Sequence, residues 1–249
     1  MAENKETSPA TAAKRGRGRP RKDSAFTSLS KELLAEKALE IAGIEGYGAL
    51  TMHRLASELG VTPRALYNYV ADRQEVVNLA VQRFLAISPL VEFDATHWQQ
   101  GVRDAYVATR NALRAYPRAS QMNWDEKVDA VPGPRRTELI ERILRFYVDI
   151  GLTLKQSVSM VRALERDVLG FVLNVDYVYD RLEPGNLEFV SHLVSAERLD
   201  AYPEIAAPLS RQALELPAPD SDELFEELIE TRLLAVEHYL AKNRQSATD

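Results

Sequence analysis

The chain has 249 residues, of which 45% are hydrophobic and 27% charged, with a formal net charge of −6. That is ordinary globular composition with room for one large domain or two smaller ones, and no run of about 18 apolar residues offers a membrane span. With no apolar leader and no cysteine, a secretory signal, disulfides, thiolate metal sites and a cysteine nucleophile are excluded, and a cytoplasmic protein is expected.

The net charge conceals an uneven distribution. Residues 1–83 hold 13 basic and 10 acidic side chains, whereas the remainder holds 18 and 27. Lys14, Arg15, Arg17, Arg19, Arg21 and Lys22 fall within nine residues that contain no acid. A block of this kind suits a polyanion with regularly spaced charge. Residues 1–28 otherwise offer almost nothing to bury and are expected to form a disordered basic arm.

Helical periodicity begins after Ser30. Leu34, Ala38 and Ile41 make one stripe, which Leu33 and Ala42 widen, and the three glycines of Gly43–Gly48 are expected to break the helix. A second helix is expected over Thr51–Leu59, closed by Gly60 in a left-handed conformation. Thr62 and Pro63 then open a third, with Thr as cap and Pro at the first helical position. Asp72 opens a fourth, and Glu75 three residues on completes a capping-box pattern.

Beyond Ser88-Pro89 the chain reads as a second helical unit. Helices are expected at 97–116, 134–151, 154–180, 186–199, 203–214 and 221–243. Val158, Val161, Val168, Val172 and Val175 stripe one long helix. Phe225, Ile229, Arg232, Val236 and Leu240 stripe the last, with Leu224 and Leu228 beside them. No segment alternates like a half-buried strand, so the fold class is all-α. The domains expected are an arm (1–28), a three-helix helix-turn-helix domain (29–86) and a helical effector-binding and dimerisation domain (87–249).

The two short helices joined by Gly60-Val61 form a helix-turn-helix candidate. The second must reach into a major groove, and Thr62, Arg64, Tyr67, Asn68 and Tyr69 supply a polar face while Leu66 and Val70 point inward. Arg64 matches the acceptor edge of guanine, and Asn68 matches adenine. Hydroxyls of Thr51, Thr62, Tyr67 and Tyr69, with Arg73 and Arg54, suit phosphates.

From about Leu33 to Leu85 the sequence resembles the TetR-type repressors. The resemblance rests on Ala38-Leu39-Glu40-Ile41-Ala42, Gly46, Leu50 to Val61, Ala65 to Val70, and Asp72-Arg73. It implies a DNA-binding head whose fourth helix leads into a ligand-binding, dimerising body. Thr51 matches the family's phosphate contact at the start of the second helix. Pro63, Arg64, Tyr67, Asn68 and Tyr69 match the groove-facing helix, and Arg73 matches a basic anchor that is usually lysine. Tyr69 departs from a frequent histidine, and Arg64 is variable in the family, so the resemblance implies a binding mode and not an operator sequence. Arg17-Gly18-Arg19-Pro20 resembles the core of an AT-hook, whose arginines lie along narrow A·T minor grooves. A phosphate-binding tail is the alternative.

The body carries no catalytic landmark. His53, His97, His192 and His238 form no HExxH pair, and there is no Walker loop or GxSxG elbow. No enzyme activity, cofactor or metal is expected. Helices 154–180 and 221–243 suit a two-fold four-helix bundle, so the expected partners are double-stranded palindromic DNA, a second copy of the chain and a small-molecule effector. The effector residues nominated are Tyr106, Arg110, Trp124, Phe146, Met160, Arg162, Glu165 and Leu169. Arg162 and Glu165 equally fit an i, i+3 surface pair, and 121–134 reads as a loop at a pocket entrance. The function expected is a ligand-responsive repressor. Two alternatives are an architectural DNA-binding protein without sequence preference and an enzyme bearing a DNA-binding head.

Overall fold

The computed structural model describes residues 29–87, 91–119, 128, 134–183 and 194–246. The arm with Arg17, Arg19 and Arg21, the tryptophan Trp124, most of the 121–134 loop and most of the expected 186–199 helix lie outside the described residues. Every regular element among the described residues is helical: α1 (Lys31–Glu45), α2 (Met52–Glu58), α3 (Pro63–Leu66), α4 (Arg73–Leu85), α5 (Trp98–Arg114), α6 (Pro134–Asp149), α7 (Leu154–Phe171), α8 (Ala196–Ala201), α9 (Pro208–Ala213) and α10 (Ser221–Ser246).

Local chemistry sets the head's boundaries. Ser30 caps α1 by accepting from the Leu33 amide, and Thr51 caps α2 by accepting from that of Arg54. Gly60, at φ +65°, closes α2. The Val61 amide reaches Ala56 O and the Gly60 amide reaches Ser57 O, which together satisfy two orphan carbonyls in a Schellman arrangement. Asp72 caps α4 by accepting from the Glu75 amide. Glu75 reaches back one residue further than a capping box requires, to the Ala71 amide at 2.6 Å, and it also pairs with Lys31. These bonds, Lys31 first, hold its carboxyl below the usual glutamate range.

Two expectations are corrected by the fold. The glycines at 43–48 do not break α1 at Gly43: the helix runs on to Glu45, and only Gly46, at φ +88°, ends it. Thr62 occupies the cap position of α3, but its hydroxyl makes no capping bond. The head's core is one cluster in which Leu34, Ala38 and Ala42 of α1 meet Leu55 of α2, Leu66 of α3 and Val77 and Val81 of α4.

In the body, α5, α6, α7 and α10 surround a second core of Val102, Tyr106, Phe146, Met160, Val168, Phe225 and Ile229. α7 opens with a capping box, Thr153 with Gln156. The expected single helix 154–180 changes character after Phe171. Residues Val172–Asp176 widen into a π-helical turn before a last α-turn, Tyr177–Tyr179. Such turns insert an extra residue per turn and re-aim the side chains beyond them, and here the result is a fully buried Asp176. The helix expected at 203–214 is shorter, Pro208–Ala213, and comes after a turn at 203–205.

Candidate nucleic-acid interface

α3 is one turn long, and its register continues as tight turns. The Asn68 amide reaches Ala65 O, and the Tyr69 and Val70 amides both reach Leu66 O. This places Leu66 and Val70 in the core, 0% and 2% exposed. Thr62, Arg64, Tyr67 and Asn68 are exposed on the opposite side. Tyr69 is half-buried and packs on the head's core. Pro63, at the first helical position, costs no hydrogen bond there.

The remaining nominated groups divide by how they are already held. Thr51 is exposed and its oxygen accepts from an amide, which leaves its hydroxyl proton for an external acceptor. Arg54 is spanned by two carboxylates, Glu45 at 2.9 Å and Glu58 at 3.0 Å. Arg73 is half-buried and donates to the Leu50 and Tyr47 carbonyls at 2.6 and 2.7 Å. It therefore clamps the start of α4 to the turn that precedes α2. No ion pair within the described residues holds Arg64.

The nominated effector residues are brought together only in part. Tyr106, Phe146 and Met160 share the body core, and Leu169 is half-buried. Phe146 stacks on Phe93 at 4.7 Å and borders a surface depression of about 230 Å³ that Arg142 and Glu141 also line. Arg162 is exposed, and Glu165 bonds to Arg136 at 2.8 Å, so the alternative i, i+3 pair between the two does not form. Arg110 is buried and fully engaged. It makes a bidentate pair with Asp176 at 2.6 and 2.9 Å, bonds to Ser221 and Asp222, and lies over the Phe225 ring. Burial alone would lower its pKa, but the two carboxylates more than offset that and raise it.

A second, half-buried network escaped sequence reasoning. The Tyr106 hydroxyl donates to Asp167 at 3.0 Å, and Arg232 grips the same carboxylate through two bonds. Burial, then the Asp167 charge, pushes the Tyr106 phenol well above its ordinary range. The available signal was an acid or base on an otherwise apolar stripe: Asp176 four residues after Val172, and Arg232 between Ile229 and Val236. A charge there is seldom buried without a partner.

Comparison with known proteins extends this geometry. Residues 34–79 match the family of bacterial regulatory proteins described as the tetR family. Residues 92–234, more than half of the chain, match the tetracycline repressor-like C-terminal domain. The class D tetracycline repressor protein of Escherichia coli is 25% identical over 198 residues, covering 78% of this chain and 83% of that protein. The HTH-type transcriptional repressor DrrR1 of Streptomyces coeruleorubidus is 30% identical over 144 residues, 57% of this chain and 52% of that protein. In structure, the Streptomyces coelicolor protein ActR bound to actinorhodin superposes with a TM-score of 0.57 at 23% identity, over 84% of this chain and 96% of that one. At that identity ActR speaks for the fold alone. The two matches fall on the head and on the helical body behind it, in that order, and the chain belongs to the TetR family of bacterial regulatory proteins.

Proposed function

We propose that this chain is a ligand-responsive transcriptional repressor that binds a palindromic operator as a homodimer and leaves it when a small molecule occupies the body. The observation that carries the reading is the α3 turn. Its buried residues, Leu66 and Val70, fix a register that keeps Arg64, Tyr67 and Asn68 together on the open side. That is the arrangement a major groove requires, with arginine for guanine and asparagine for adenine. Thr51, Thr62 and Tyr69 flank the turn as phosphate partners.

The dimer is assigned to α7 and α10. α10 buries Phe225, Ile229, Leu233, Val236 and Leu240 in the body and leaves Leu234, 63% exposed, on its other side. A two-fold operator needs a two-fold protein, and antiparallel pairing of such helices closes one. The effector is assigned to the body at Tyr106, Phe146, Met160 and Leu169, whose aromatic, thioether and aliphatic side chains suit an apolar ligand. To move the protein from 1:99 to 99:1 in favour of release, the ligand must prefer the released conformation by about 5.5 kcal/mol. A regulator of this kind, without catalysis, works in the cytoplasm with the nucleoid.

The test is selection of bound duplexes from a random pool at about 150 mM salt, where exposed charges are screened as in the cell. An enriched inverted repeat is expected. Uniform recovery of all sequences would overturn the reading in favour of an architectural DNA-binding protein. The arm gives a second prediction. Replacing Arg17 and Arg19 together by alanine is expected to weaken binding chiefly to operators flanked by A·T, because narrow grooves concentrate negative potential. Equal weakening on G·C-flanked operators in a filter-binding titration would reduce the arm to a phosphate contact.

A further inference from the structure

Gly43 lies inside α1 with no positive φ, where alanine would favour the helix by about 1 kcal/mol. What excludes a side chain is the body. A Cβ on Gly43 would stand 2.8 Å from Tyr116 Cδ1 and 3.0 Å from Tyr116 Cα, and the second of these is backbone that cannot swing aside.

Around this notch the segment after α5 grips the end of α1. The Arg118 amide donates to Gly43 O at 2.9 Å, and its guanidinium donates to Glu45 O at 2.9 Å. The Tyr47 hydroxyl donates to Ala119 O at 3.3 Å, and both residues are fully buried. Gly43 O and Glu45 O belong to the last turn of α1, whose carbonyls have no partner within the helix. A residue of the effector body thus caps a helix of the DNA-reading head.

Each side of this contact is rigidly tied to its own unit. On the head side, the capped end runs directly into the turn whose Tyr47 and Leu50 carbonyls hold Arg73 and whose next residue, Thr51, caps α2. On the body side, the segment continues α5 through a Tyr116 amide bond to Leu113 O. Arg110 and Arg114 of that helix are locked to Asp176, Asp180 and Asp222. Beyond the covalent connection after α4, this segment is a second attachment, where Leu113, Tyr116 and Ala119 pack on the head's core.

We propose that Tyr116 in the Gly43 notch, with Arg118 as cap, is the latch that sets the orientation of the head on the body, and that Arg118 is its positioning residue. The proposal rests on the dimeric-regulator reading only in using the two heads of a dimer as a ruler. Without native cysteines, Ser57→Cys on the exposed side of α2 takes one spin label per full-length chain. The distance between labels is then measured by pulsed dipolar spectroscopy without DNA.

A single narrow peak is expected for the parent. Arg118→Ala is expected to lose that peak and Gly43→Ala to displace it, while Arg118→Lys, which keeps one donor for Glu45 O, recovers part of it. Arg118→Ala should also bind a two-half-site operator about tenfold more weakly with little change on a lone half-site, a coupling effect that mere loss of stability does not produce. Parent-like peaks in both Arg118→Ala and Gly43→Ala would overturn the latch. Should Arg118→Ala fail to fold, Arg118→Lys and Gly43→Ala decide the matter alone. Absence of any dipolar signal in the parent would overturn the dimer reading instead. The latch is then judged by hydrogen exchange, which must accelerate at the Gly46 and Leu50 amides of Arg118→Ala. Unchanged exchange overturns it.

Discussion

Asp176→Ala is expected to lower stability by about 3 kcal/mol, the lower end of the range for stripping one partner from a buried ion pair. The Asp176 side chain is 0% exposed and that of Arg110 8%. Removing the carboxylate leaves the guanidinium desolvated, with only Ser221 and the exposed Asp222 to answer it. For a chain of this length the midpoint of thermal unfolding should fall by roughly 6–12 °C. Asp222→Ala is the control. Its carboxylate touches the same Arg110, but its side chain is 76% exposed, so the loss should stay within about 1 kcal/mol. Joint replacement of Arg110 by methionine and Asp176 by leucine removes both charges together, and should recover most of the single-mutant loss. Calorimetry on the four proteins checks the account. Equal losses for Asp176→Ala and Asp222→Ala would show that burial does not set the strength of this cluster.

The same cluster marks where sequence reasoning ends. The head was legible because its boundaries are local. Thr51 and Arg54 are three residues apart, as are Asp72 and Glu75, and Gly60 answers to a backbone angle. The body's long helices were legible from their stripes. What joins the stripes was not. Arg110 meets Asp176 across 66 positions, and Arg232 meets Asp167 across 65. Periodicity says that a face is buried and not which charge it will meet there. For that reason Arg110 and Glu165 read as ligand contacts in the sequence, when their partners are Asp176 and, on α6, Arg136. Gly43 shows the same limit from the other side. In sequence it is one more glycine near a helix end. Only Tyr116, ring and backbone, brought in by the segment after α5, explains why it carries no side chain.

Arg64→Ala is expected to weaken operator binding by about 1–3 kcal/mol, roughly 5- to 150-fold, and to relax the preference for guanine at one position in each half-site. Stability should stay within about 0.5 kcal/mol of the parent, since the side chain is exposed and no ion pair of the described residues depends on it. Arg54 makes the comparison informative, because it lies in the same head with the same charge. Its guanidinium is already engaged by Glu45 and Glu58, so contact with DNA would first require separating it from both. Arg54→Ala should therefore cost less affinity than Arg64→Ala, and cost it evenly across sequences. Titrations of both variants on the selected operator and on single-base variants, each at several salt concentrations, separate the roles. A base contact leaves the salt slope near the parent's and alters the sequence ranking. A phosphate contact lowers the slope by about one and leaves the ranking intact. If Arg64→Ala behaves in the second way, the reading of guanine passes to another residue of the α3 turn. Tyr67 and Asn68, exposed beside Arg64, would then be the side chains to replace next.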